Sequence, residues 1–195
     1  TLFNLRRMLM NKSFIIKIIV LCLVTIKVSA IEKVILFGDS LMAGYGLPNE
    51  QHLSVVLQNS LEVEGNNIEI VNGSVSGSTS AGGLNIAEWT LSENNIDLMI
   101  LCLGANDMLR GINPKETKNN LEEIIKIAKS KNIKIIIAGM IAPISYGYSY
   151  KKSFDKIFSD LSKKYKLQLI PFLLEGVAQK PEFNLSDGMH PNDQG

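Results

Sequence analysis

From residue 31 onward, short apolar runs alternate with stretches of helical period. The runs at residues 33–37, 68–71, 98–103, 134–138 and 168–171 are brief and rich in aliphatic or β-branched side chains, as strands covered on both faces are. Between them, Leu53, Val56, Leu57 and Leu61 make one helical stripe, Leu121, Ile124, Ile125 and Ala128 a second, and Phe154, Ile157, Phe158 and Leu161 a third. Asn113-Pro114-Lys115-Glu116 is a helix start: Asn caps, Pro suits the first helical position, and Glu116 stands where it can reach back to the cap. No linker, repeat or low-complexity tract interrupts this stretch. The pattern predicts a single α/β domain, a three-layer α/β/α sandwich with a five-stranded parallel sheet, flavodoxin-like in general form.

Residues 1–30 are of another kind. They carry Arg6, Arg7, Lys12, Lys17 and Lys27 and no acid, and residues 14–26 are largely apolar. Val28-Ser29-Ala30 supplies small residues at the spacing read by signal peptidase. The expectation is a secretory signal starting at Met10 and cleaved after Ala30, with residues 1–9 upstream of the start. The apolar run between Lys17 and Lys27 falls short of the roughly 20 residues that span a bilayer, so no stable membrane anchor is expected after cleavage. Leu21, where a lipidation signal needs a small residue, argues against an anchor at Cys22.

Cleavage changes the charge. Five of the twenty basic residues and none of the nineteen acidic ones would leave, turning a net charge of +1 into −4 and removing the electrostatic case for a nucleic-acid partner. Cys102 would remain without a partner, and its apolar surroundings, Met99 to Leu103, read as a buried small side chain.

In such a sheet, chemistry collects in the loops beyond the carboxyl ends of the strands. Those loops carry Gly38-Asp39-Ser40, Asn72-Gly73-Ser74-Val75-Ser76-Gly77-Ser78-Thr79, Gly104-Ala105-Asn106-Asp107, Ala142-Pro143 and Asp187-Gly188-Met189-His190-Pro191-Asn192. A serine becomes a nucleophile when a base takes its proton, and imidazole is matched to that near neutrality. Of the two histidines, His52 opens a surface-facing helical segment and reads as a solvated or capping residue. His190 follows Asp187 by three residues, so the carboxylate can hold one ring nitrogen while the other faces Ser40. Taken alone, the Asp187 pattern fits equally a turn in which it caps local backbone. Gly77 offers an unobstructed N–H and Asn106 a carboxamide donor for a developing oxyanion.

Asp39 and Asp107 read as loop-fixing residues rather than further catalytic acids. The Gly- and Ser-rich residues 73–83 lack the Gly-Lys-Ser/Thr ending of a phosphate-binding loop. Tyr146, Tyr148 and Tyr150 either line an acyl groove or pack a loop. Met108, Leu109, Ile112 and Pro143 are candidate substrate contacts near Asn106 and the fourth strand.

Four of the five loops, in this order, resemble the sequence blocks of the GDSL or SGNH hydrolases, and the resemblance covers residues 32–195. Leu109-Arg110-Gly111 and Ile170-Pro171-Phe172 resemble the bacterial periplasmic thioesterase, lysophospholipase and arylesterase branch. The resemblance implies the SGNH hydrolase fold over residues 31–195, with Ser40 as nucleophile, His190 as general base and Asp187 as its orienting partner. It also implies an oxyanion hole from the Ser40 and Gly77 N–H groups and the Asn106 side chain, with no metal or organic cofactor. The implied protein is an exported, periplasmic or secreted serine esterase or thioesterase acting on small-molecule or lipid esters through an acyl-enzyme.

Two features depart from the family pattern. Ala105 stands where a second glycine is usual, and the family continues past the His block into a final helix, so the resemblance implies a domain cut short at Gly195. Two alternatives remain at this point: a carbohydrate O-deacetylase with the same residues, and a non-catalytic envelope protein that binds acyl ligands. The complete Ser, Gly, Asn and Asp/His set argues against the second.

Overall fold

In the computed structural model, which describes residues 31–93 and 95–195, the apolar run β1 (Lys33–Gly38) lies inside the sheet, buried from Val34 to Gly38. It is flanked by β2 (Glu69–Asn72) and β3 (Leu98–Cys102), and β4 (Lys134–Ala138) and β5 (Gln168–Ile170) follow. All neighbours are parallel and the order is β2-β1-β3-β4-β5. The five expected strands are therefore present, with ends shifted by at most one residue; β5 stops before Pro171, which has no N–H for the ladder. The expected signal segment, residues 1–30, lies outside the described residues.

The intervening helices are α1 (Ser40–Ala43), α2 (Leu53–Val63), α3 (Ser80–Thr90), α4 (Ala105–Leu109), α5 (Pro114–Ser130) and α6 (Tyr148–Tyr165). Because the chain steps from β1 outward to β2 and then back to β3, right-handed crossovers put α2 on one face and α3, α5 and α6 on the other. The second group buries the predicted stripes of Leu121, Ile124, Ile125 and Ala128, and of Phe154, Ile157, Phe158 and Leu161. Asn113 caps α5 by accepting the Lys115 N–H at 3.0 Å with Pro114 in the first turn, as expected; the reciprocal bond from Glu116 is not formed.

The α2 stripe departs from expectation. Ser54 is the buried residue, while Leu53 and Val56 are exposed. Strand register places Ile100, Ile136 and Ile170 on the same side of the sheet as α2, and these remain half-buried or exposed. Among the described residues α2 covers this face only over β1 and β2, so its outer apolar residues find nothing to pack against.

Helix α3 has no apolar stripe in the sequence because its buried positions are held by Ser80, Gly83 and Ala87. Gly83 is required by closeness: a Cβ there would collide with the Leu103 side chain. The helix can thus lie directly on the sheet. Cys102 is a buried free thiol, as its surroundings predicted, and burial pushes its pKa well above the ordinary value.

Candidate active site

The carboxyl end of β1 delivers the first group. Asp39 caps α1 by accepting the Leu41 N–H at 3.1 Å, which leaves Ser40 as the first residue of that helix. Phe37, Asp39 and Met42 are each 1% exposed, so the backbone that carries Ser40 is held from below by the core.

The second group arrives 150 residues later. Ser40 Oγ lies 2.9 Å from His190 Nε2, and His190 Nδ1 lies 2.7 Å from Asp187 Oδ2. The carboxylate can only accept, so it draws the ring proton to Nδ1 and leaves Nε2 as the acceptor of the serine hydroxyl. The other Asp187 oxygen accepts the N–H groups of Met189 and His190 at 2.8 and 3.0 Å. These backbone bonds, the His190 one foremost, and then the imidazole bond lower the carboxyl pKa to about 2. Local capping and imidazole binding, open alternatives in the sequence, are thus performed by one side chain at once.

The loop bearing this pair is closed by its own hydrogen bonds. Leu185 N–H donates to the His190 carbonyl at 2.7 Å, and Asn184 pairs with Pro191 in an isolated antiparallel bridge. Buried Asn184 donates from Nδ2 to the Val177 and Lys180 carbonyls at 2.8 and 2.7 Å. Asn192 donates to the Glu182 carbonyl at 2.9 Å. Tyr45 lays its ring against His190, with centroids 4.6 Å apart. The sequence carried no signal for Tyr45 or Asn184, because each acts through a contact that exists only after folding.

Three hydrogen-bond donors collect at the same end of neighbouring strands β2, β1 and β3. The backbone N–H groups of Ser40 and Gly77 donate to no acceptor among the described residues. Asn106 Nδ2 has only a long 3.4 Å contact to Asp39 Oδ2. Burial raises the Asp39 pKa to about 6, opposed by the Leu41 N–H and the Asn106 amide. Asp107, fully buried, accepts the Ser80 N–H at 2.7 Å, the Ser80 hydroxyl, and the Thr117 hydroxyl at 3.1 Å. Both acids fix loops, as their sequence context suggested. Ala105 opens α4 and leaves Asn106 in its first turn.

The other candidates are distributed unevenly. Leu109 and Pro143 are exposed at this end of the sheet, whereas Met108 packs against the core and Ile112 is half-buried, its carbonyl accepting the Tyr150 hydroxyl at 3.0 Å. Tyr150 stacks between Tyr146 and Phe154 and so packs a loop; Tyr148 is exposed. His52 occupies the N-cap position of α2, where its carbonyl accepts the Val55 and Val56 N–H groups, but its side chain makes no cap bond: the ring is bonded through Nε2 to the Leu47 carbonyl at 3.1 Å. No group of three or more metal-ligating side chains clusters among the described residues.

Comparison with known proteins places these features in context. The GDSL-like Lipase/Acylhydrolase family matches residues 36–195. An arylesterase of Vibrio mimicus is 37% identical over 165 residues, spanning 85% of this chain and 82% of that protein. The thioesterase 1/protease 1/lysophospholipase L1 of Escherichia coli is 32% identical over 172 residues, spanning 88% of this chain and 81% of that protein. The crystal structure of AlinE4, an SGNH-hydrolase family esterase, superposes with a TM-score of 0.78 at 38% identity, covering 84% of this chain and 87% of that one.

Proposed function

The chain belongs to the GDSL-like lipase/acylhydrolase family, and from that premise we propose that Ser40, His190 and Asp187 are the triad of a serine ester hydrolase. One observation carries the assignment of roles: the unbroken chain of hydrogen bonds from Ser40 Oγ through both nitrogens of His190 to Asp187, at 2.9 and 2.7 Å.

Ser40 Oγ attacks the acyl carbonyl as His190 Nε2 takes its proton, and Asp187 stabilises the imidazolium without itself being protonated. The carbonyl oxygen acquires negative charge facing the Ser40 and Gly77 N–H groups and the Asn106 amide. Among the described residues the two backbone donors hold no competing bond and the Asn106 amide only its long contact to Asp39, so little has to break when the oxyanion forms. Collapse expels the alcohol or thiol with the proton returned by His190. Water, activated by the same imidazole, then releases the acid from Ser40.

The related arylesterase and thioesterase support carboxylic esters and thioesters as the substrate class, in accord with exposed Leu109 and Pro143 at the same end of the sheet. The pattern of residues 1–30 supports export to the periplasm or beyond. A fluorophosphonate probe tests the central assignment: it should label Ser40, and Ser40→Ala should abolish both labelling and turnover. An active preparation whose adduct lies on another residue would refute it.

A further inference from the structure

The loop after β2 is tied down at both ends but not in the middle. On the near side, Val75 N–H donates to the Gly38 carbonyl at 3.0 Å and the Ser74 hydroxyl to the Leu36 carbonyl at 3.0 Å. On the far side, Ser80 is bound to buried Asp107. Between these anchors, Val75-Ser76-Gly77-Ser78 forms a turn closed by Ser78 N–H to the Val75 carbonyl at 3.0 Å. Gly77 has φ +77° and Ser76 is not in the left-handed region, which makes this a type II turn.

That turn type has a known weakness. Its central peptide, here Ser76–Gly77, can rotate to the type I form, which would turn the Gly77 N–H away and put the Ser76 carbonyl in its place. No neighbouring element packs against the outer side of the turn at Gly77, where a Cβ would meet nothing within 4 Å. Among the described residues, Arg110 is the one side chain that hydrogen-bonds to Gly77: its Nη2 donates to the Gly77 carbonyl at 2.9 Å.

We propose that Arg110 is the positioning residue of the Gly77 donor: by holding the carbonyl of the following peptide, Gly77–Ser78, it straps the turn to the end of α4 and fixes where the Gly77 N–H stands relative to Asn106. This rests on the reading of Gly77 as an oxyanion donor. Helix α4 then acts as a bracket: Asn106 presents one donor, Asp107 anchors the helix inward to Ser80, and Arg110 reaches outward to hold the second donor. Because Arg110 is at the surface and bonds through a single N–H, its loss should alter geometry rather than folding.

The experiment compares Arg110→Ala, Arg110→Lys, Gly77→Ala and the Arg110→Ala/Gly77→Ala double variant on a neutral aryl butyrate and on an acyl ester carrying a sulfonate. Alanine at a φ near +77° is strained and favours the rotated turn, so Gly77→Ala should lower kcat by about 10²-fold, as loss of an oxyanion donor does. Arg110→Ala should lower kcat roughly 10-fold or more on both esters with KM little changed, and Arg110→Lys should recover part of the loss. In the double variant, removing Arg110 should add almost nothing. Full kcat in Arg110→Ala beside an impaired Gly77→Ala would overturn the strap alone. So would additive losses, or a loss confined to KM of the sulfonated ester, which would make Arg110 a substrate contact. Full kcat in Gly77→Ala would instead remove the donor reading beneath it.

Discussion

Ser40 and His190 meet at 2.9 Å, yet they stand on very different supports. Ser40 begins a helix that caps a buried strand, with Phe37 and Met42 beneath it. His190 and Asp187 sit in the segment after β5, where, among the described residues, the regular structure is the short 3₁₀ turn Pro181–Phe183. That segment is held by side-chain bonds to its own backbone, from Asn184, Asn192 and Asp187. The nucleophile is thus fixed by packing that the whole domain shares, and the base by a local network. Damage to the first should appear as lost stability, and damage to the second as lost turnover in a folded protein.

Asp187→Asn offers the largest effect and the sharpest contrast. The asparagine oxygen can still accept the Met189 and His190 N–H groups, but its amide would face Nδ1 and impose the wrong tautomer. We expect kcat to fall about 10⁴-fold with little change in thermal midpoint. A large loss of stability would break the contrast, because it would make the His190 loop part of the cooperative core.

Met42→Ala tests the other side. Removing this buried side chain should cost about 2–5 kcal/mol in urea unfolding, while kcat per folded molecule changes only a few-fold.

Asp39, also beneath Ser40, should produce a pH-dependent effect. Its folded pKa of about 6 stands above the ordinary 3.8, so the stability associated with its proton is complete below about pH 4 and is lost as pH rises through 6. Measured against Asp39→Asn, the wild type should lose up to about 3 kcal/mol between those pH values and remain level above them. A difference that stays constant from pH 4 to 8 would mean that the carboxyl is not effectively buried.

The smallest expected change is that of Asn184→Ala, which deletes two bonds within the loop. Amide exchange at Leu185 and Gly188 should speed up by about tenfold, equivalent to about 1.4 kcal/mol of local opening, while β1 amides are unaffected. Equal acceleration in β1 would show that loop and core open together.

Much of this arrangement is legible in the residues themselves. The strands can be read because burial on both faces demands continuous apolar runs, and α5 and α6 because burial on one face demands a stripe. Helix α3 could not be read this way, since close approach to Leu103 replaces apolar bulk with Gly83. Nor could the exposed side of α2, whose burial depends on what else covers that face. Ser40, Gly77, Asn106, Asp187 and His190 were nameable because each lies in a short motif in a loop beyond the carboxyl end of a strand. The supporting contacts of Tyr45, Asn184 and Arg110 have no such local mark.

By itself, the sequence determined the order of the strands and of helices α2, α5 and α6 and the chemical groups carried by each loop, since periodicity and turn residues act over a few neighbours. Only the tertiary structure decided that β1 lies between β2 and β3, that His190 closes on Ser40 from 150 residues away, and that Arg110, at the end of α4, bonds to the Gly77 carbonyl on another loop. Those outcomes depend on crossover handedness and on which faces pack together, and these are properties of the assembled chain rather than of any window within it.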